Sequence, residues 1–215
     1  MESNAKPISS PIKRYTIRNL MENLIYRLPG CTELMIRKEL QHTLIEFCEI
    51  TGVLEFDVPV CYKEDVQVYP LIVPNDFTIT QINSFRTSWE KESFNYFDFS
   101  TRQELGNYYI SFNRFPNNDD KLKNDRLTYF VKCVCVPTIN CEDVPESFLQ
   151  RFGTAIVSGT MARLMSMQGK AWSDVSQAAI KNIEYQNALN DACILKATQG
   201  KKQITFARGN FTSWF

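Results

Sequence analysis

The chain has 215 residues, with 24 basic and 24 acidic side chains and a single histidine. That length fits one mixed domain or a core with an insertion, and the zero charge balance excludes a dedicated duplex-DNA binder, which carries a basic excess. Hydrophobic residues at 44% and charged residues at 22% exclude a disordered chain, and no apolar run approaches a membrane span.

Residues 1–13 are polar, carry Pro7 and Pro11, and read as a flexible N-terminal arm. From Thr16, a candidate cap, Ile17, Leu20, Met21, Leu24, Ile25 and Leu28 recur at helical spacing until Pro29-Gly30 stops the run. A second helix is expected from Thr32, with Ile36, Leu40, Leu44 and Phe47 on one stripe and Gly52 as its terminator. The period then changes to two: Leu54, Phe56, Val58, Val60 and Tyr62 alternate with Glu55, Asp57, Pro59 and Cys61, a strand whose proline fits an edge position. Further strands are expected over 65–69, 77–89 (broken), 94–99, 108–112 and 127–136, with a loop tip at Asn117-Asn118-Asp119-Asp120.

Helical signals return at Cys141. Asp143-Val144-Pro145-Glu146 has the spacing of a capping box. Phe148, Leu149, Phe152, Ile156, Leu164 and Met167 supply an apolar face, interrupted by Gly153, Ala155, Ser158, Gly159 and Ala162, and Gly169 ends the helix. Each helical glycine costs roughly 1 kcal/mol relative to alanine, so these small residues imply close helix packing. Ser173 then caps a last helix carrying Val175, Ala179, Ile183, Tyr185, Leu189 and Ala192, ended by Gly200. The expected fold class is therefore α+β: an antiparallel bundle of about four helices, residues 14–53 and 141–200, with a β-rich insertion over 54–140 and an extended C-terminal tail over 201–215.

The start Met1-Glu2-Ser3-Asn4 lacks the basic and apolar stretches of a secretory signal. The seven cysteines, Cys31, Cys48, Cys61, Cys133, Cys135, Cys141 and Cys193, then read as reduced thiols of a cytosolic protein. Cys133, Cys135 and Cys141 lack the second ligand pair of a zinc site and read as core thiols. His42 lies off its helix's apolar stripe and reads as a surface or interface residue. Asp119, Asp120 and Asp125 lack calcium-loop spacing, and no phosphate-loop, dinucleotide or hydrolase motif occurs. We expect no catalytic residues, no metal, no cofactor and no enzyme activity.

The tail is more informative. After Asp191 no acidic residue occurs, while Lys196, Lys201, Lys202 and Arg208 are basic; Phe206, Phe211, Trp214 and Phe215 place four aromatic rings in the last ten residues. An extended segment cannot bury four rings within itself, and each is worth about 1.5–3 kcal/mol once buried. They fold back on their own domain, plug into a partner, or stack on single-stranded nucleic acid. Docking on a partner is the expectation.

One stretch is distinctive. Val134-Cys135-Val136-Pro137 leads to Val144-Pro145-Glu146-Ser147-Phe148 and the small-residue helix 153–164. Gln168-Gly169-Lys170-Ala171-Trp172-Ser173-Asp174 follows, then Ala178-Ala179-Ile180-Lys181-Asn182-Ile183-Glu184-Tyr185. With a looser match over Leu34, Arg37-Lys38-Glu39-Leu40 and Ile45-Glu46-Phe47-Cys48-Glu49, this resembles the head-to-tail adaptor (neck or connector) proteins of tailed bacteriophages over about half the chain. The β-rich middle corresponds to that family's variable insertion.

The resemblance implies a structural virion protein of the neck, made in the bacterial host cytoplasm. Such a protein forms a homo-oligomeric ring, usually dodecameric, which joins the portal protein to the tail tube or nozzle. The ring lines the channel for genomic DNA without sequence-specific binding, and no membrane is involved. A ring protomer needs two heterologous lateral faces, and many docked tails turn modest affinity into avidity. Under this reading Lys201, Lys202, Phe206, Arg208, Phe211, Trp214 and Phe215 dock on the portal. Gly153, Ser158, Gly159, Ala162 and Trp172 serve helix packing or ring contacts. The alternative is a small nucleic-acid-binding protein that uses the basic, aromatic tail.

Overall fold

The computed structural model describes residues 14–61, 66, 68–87, 99–104, 107–112 and 128–199. In chain order the elements are β1 (Arg14–Thr16), α1 (Arg18–Arg27), α2 (Glu33–Thr51), β2 (Glu55–Cys61), β3 (Val68–Leu71), β4 (Phe77–Thr87), β5 (Phe99–Glu104), β6 (Asn107–Phe112), β7 (Thr128–Pro137), β8 (Asp143–Pro145), α3 (Glu146–Met165) and α4 (Val175–Gln199). The strands form two three-stranded antiparallel sheets, β2-β7-β4 and β3-β6-β5, and a separate antiparallel pair, β1-β8.

The periodic segments fold as their patterns require. In α1, Ile17, Met21, Leu24 and Leu28 turn inward and Leu20 is half-buried, but Ile25, expected on the same face, is exposed; in α2, Ile36, Leu40, Leu44 and Phe47 turn inward, and Gly52 closes the helix in the left-handed region at φ 58°. Gly30, at φ 87°, turns the chain between the two helices. Along β2 the even residues Phe56, Val58 and Val60 are buried and the odd ones face outward, with Pro59 on an edge strand where its missing N–H costs no ladder bond. The expected break in β4 takes the form of register shifts at Ile79/Gln81 and Ile82/Ser84.

The expected helical bundle carrying a β-rich insertion is corrected. The fold is α+β, with four helices and the two three-stranded antiparallel sheets among the described residues. The helices do not enclose a core of their own. Leu24, Phe47, Ile156 and Leu164 belong to the same hydrophobic cluster as Val58, Ile79, Val131 and Cys135. The physical reason lies in the strands. Alternation gives β2 a continuous apolar face, and β7 buries Val131, Cys133 and Cys135 completely. A sheet face of that kind must be covered, and α2 lies against β7 and covers it.

Three local expectations are also corrected. Asp143 caps no helix, because residues 143–145 form β8; the Asp143 carboxylate accepts a hydrogen bond from Thr16 Oγ1 at 3.0 Å, and α3 begins at Glu146. Thr16 accordingly sits in β1 and does not cap α1, whose N-cap is Ile17. At α4 the capping group is Asp174, whose Oδ1 accepts the Gln177 N–H at 2.9 Å, and not Ser173. The C-terminal tail, the N-terminal arm, Gly200 and the 117–120 loop tip lie outside the described residues.

Candidate interaction face

Helices α3 and α4 carry the segment singled out in the sequence. Their contact is set by Gly159. A Cβ built there would lie 2.7 Å from Tyr185 Cδ2 and 2.8 Å from Thr43 Cγ2, so only glycine lets the Tyr185 ring of α4 and the Thr43 methyl of α2 both come this close to α3. Gly153 serves a looser contact, 3.4 Å from Leu20 Cδ2 on α1. Ala162 is buried on α3, and Ser158 Oγ donates to Glu184 Oε2 at 2.8 Å, linking α3 to α4.

An ionic network ties the same helices together. Arg163 on α3 pairs with Glu46 on α2 and reaches Glu39 Oε2 at 3.9 Å, while Tyr185 Oη donates to Glu46 Oε2 at 3.2 Å. Burial pushes the Tyr185 phenol well above its ordinary value, and the neighbouring Glu46 carboxylate adds to the effect. Within α4, Lys181 Nζ donates to both oxygens of Glu184 at 2.8 Å. That bond, and the one from Ser158, hold the Glu184 carboxyl below the usual carboxylate range. Between α3 and α4 lies an open groove of about 430 Å³, lined by Glu46, Arg163, Asn182, Tyr185 and Gln186 with Gly159 and Ala162 in its floor.

Trp172 lies in the link between α3 and α4. Its ring is half-buried against the core, and its Nε1 is buried with no hydrogen-bond partner among the described residues. The link also packs on the α1–α2 turn: a Cβ at Gly30 would sit 3.7 Å from Ala171 Cβ. The sequence therefore marked Gly153, Ser158, Gly159, Ala162 and Trp172 on or beside one helix pair, and the structure places all five in contacts within the chain. It missed Glu39, Glu46, Arg163, Lys181 and Glu184. The signals available were the seven-residue spacing of Glu39 and Glu46 on α2 and the three-residue spacing of Lys181 and Glu184 on α4.

The tail residues Lys201, Lys202, Phe206, Arg208, Phe211, Trp214 and Phe215 lie outside the described residues, as do Asp119, Asp120 and Asp125. His42 is half-buried on α2. All seven cysteines are thiols, none in a disulfide. Burial pushes Cys133 and Cys135 up to about 12 and Cys48 higher still, with Cys141 and Cys135 close enough to Cys48 to add to its shift. Such thiols stay protonated and pack as small apolar groups. Among the described residues no three His, Cys, Asp or Glu side chains are grouped to hold a metal ion, and no helix is long and apolar enough to cross a membrane.

A second hollow, of about 490 Å³, lies between β3, β6 and the start of β4, lined by Pro70, Leu71, Val73, Phe77, Ile79 and Tyr108. Asn75, Thr78 and Asn107 add polar groups to this lining, and no charged side chain lies in it. Compared with known proteins, the chain matches no family model and no curated sequence.

Proposed function

We propose that this chain is a structural component of a tailed-phage neck: a head-to-tail adaptor whose copies form a ring joining the portal to the tail around the DNA exit channel. The observation that carries the reading is the 137–192 segment, which holds the resemblance. Its small residues meet large side chains, Gly159 tightly against Tyr185 and Gly153 in ordinary contact with Leu20. Its Gly-Lys-Ala-Trp-Ser-Asp link, residues 169–174, braces the α1–α2 turn. A protomer loaded by its neighbours needs such a stiff spine. The zero net charge fits a wall past which DNA slides.

The tail supplies the attachment in this reading. Lys201, Lys202 and Arg208 give it charge, and Phe206, Phe211, Trp214 and Phe215 give it apolar anchors. Portal docking of many copies makes each modest contact count. Deleting residues 201–215 tests it. The expected truncated protein keeps its circular dichroism and melting temperature but no longer binds isolated portals, and DNA-filled heads made with it carry no tails. Normal tailed particles would overturn the proposal. Titrating the full chain with labelled single-stranded oligonucleotide across a salt series tests the alternative: tight binding with a steep salt slope would move the function to nucleic-acid binding.

A further inference from the structure

We propose that the outer face of α4 is an association surface for a second copy of this chain, whose own α4 lies against it parallel and in register. Helix α4 has two faces. Ala178, Tyr185, Leu189 and Ala192 are buried on one. On the other, Ser176, Ile180, Ile183, Asn187, Asn190, Ile194 and Ala197 follow one another at alternating spacings of four and three residues, and all seven are exposed. This is the spacing of a coiled-coil seam, sustained over about three heptads. The seam contains no charge, and its isoleucines are 49%, 62% and 61% exposed at 180, 183 and 194. Scattered exposed isoleucines are ordinary; three at seam positions on one helix are not.

The seam's polar residues identify the occupant. Asn187 and Asn190 would lose their water against an apolar helix and go unpaired, which is costly for a buried amide. Against the same two residues of another copy, the amides pair with each other. The flanks and the isoleucines then select direction. On one side of the seam stand Glu184 and Asp191, while the other side carries Ala179, Gln186 and Cys193. A parallel pair sets each acidic flank against an uncharged one. An antiparallel pair centred between Asn187 and Asn190 sets Ile183 against Ile194 but leaves Ile180 facing Ala197, so it buries less apolar surface than the parallel pair, which sets each isoleucine against its own copy. Such a pair is isologous, the same face on both copies, and is a contact additional to the heterologous lateral faces of a ring; residues 201–215 play no part in it, so its test and that of the adaptor reading can fail separately.

Disulfide trapping tests it on the full chain. In a background with Cys31, Cys61 and Cys193 changed to serine, Ile180→Cys should give a covalent dimer under mild oxidation, because a parallel register places the two residues face to face. The antiparallel register puts residue 180 opposite 197, about 25 Å along the helix at 1.5 Å per residue. A dimer formed by Ile180→Cys with Ala197→Cys, but not by Ile180→Cys alone, would overturn the parallel arrangement. In sedimentation, the double variant Ile183→Glu/Ile194→Glu should weaken self-association at least ten-fold with unchanged circular dichroism and melting. A wild-type chain that stays monomeric at high concentration, or a double variant that associates like wild type, would overturn the proposal altogether.

Discussion

Gly159 shows how much one missing methyl group decides. The Tyr185 ring and the Thr43 methyl both stand inside 3 Å of the Cβ that alanine would add, and neither can withdraw, since both side chains are buried. The clash in Gly159→Ala is expected to cost about 1–3 kcal/mol, the usual penalty of overpacking. Alanine's better helix preference returns roughly 1 kcal/mol of that, leaving a net loss of up to about 2 kcal/mol. Gly153→Ala should behave oppositely. Its Cβ meets only the Leu20 methyl at an ordinary 3.4 Å, so the helix preference dominates and stability rises by about 0.5–1 kcal/mol. Urea unfolding midpoints of the two variants check the contrast, and an equal loss in both would show that the α3–α4 contact is not set where the geometry puts it.

At the scale of elements, helix ends depend on neighbours that a local pattern does not contain. Asp143-Val144-Pro145-Glu146 has capping-box spacing, yet β1 arrives to pair with it, and Asp143 bonds to Thr16 instead. At α4 two adjacent candidates, Ser173 and Asp174, compete, and the Asp174 carboxylate accepts the Gln177 N–H. Asp174→Ala is expected to lower stability by about 1 kcal/mol, while Ser173→Ala changes it by under about 0.5 kcal/mol. Thermal melting of both variants decides which residue caps the helix. The apolar face of α4 was likewise legible only in part. Tyr185, Leu189 and Ala192 turn inward, but Val175, Ala179 and Ile183 face outward. The helix carries two apolar stripes, and which one meets α3 depends on where Gly159 admits a ring.

For the molecule as a whole, the shared core replaces the division into bundle and insertion. Cys48 on α2, Cys133 and Cys135 on β7, and Cys141 beyond β7 are all fully buried in one cluster, while Cys31, Cys61 and Cys193 are at least partly accessible. Thiol labelling of the native protein should modify Cys31, Cys61 and Cys193 quickly. The four core thiols are expected to react at one common, much slower rate, that of global opening. Mass spectrometry of the labelled peptides resolves each site. Release of Cys133 and Cys135 before Cys48 would mean that the sheet opens as a unit of its own, and the single core would be refuted.

The sequence by itself determined the inward stripes of α1 and α2, the alternation of β2, the turn at Gly30 and the end of α2 at Gly52. Each rests on interactions within a few residues: a repeat of 3.6 or 2, a proline, a left-handed glycine. It also marked the small residues of α3 as a packing face. Only the tertiary structure decided that the sheet lies under α2, that β1 and β8 pair across 127 residues, and that Arg163 bridges Glu39 and Glu46. These contacts join segments far apart in the chain. Their partners are chosen by shape and by which apolar face lacks a cover, and no local period encodes that choice.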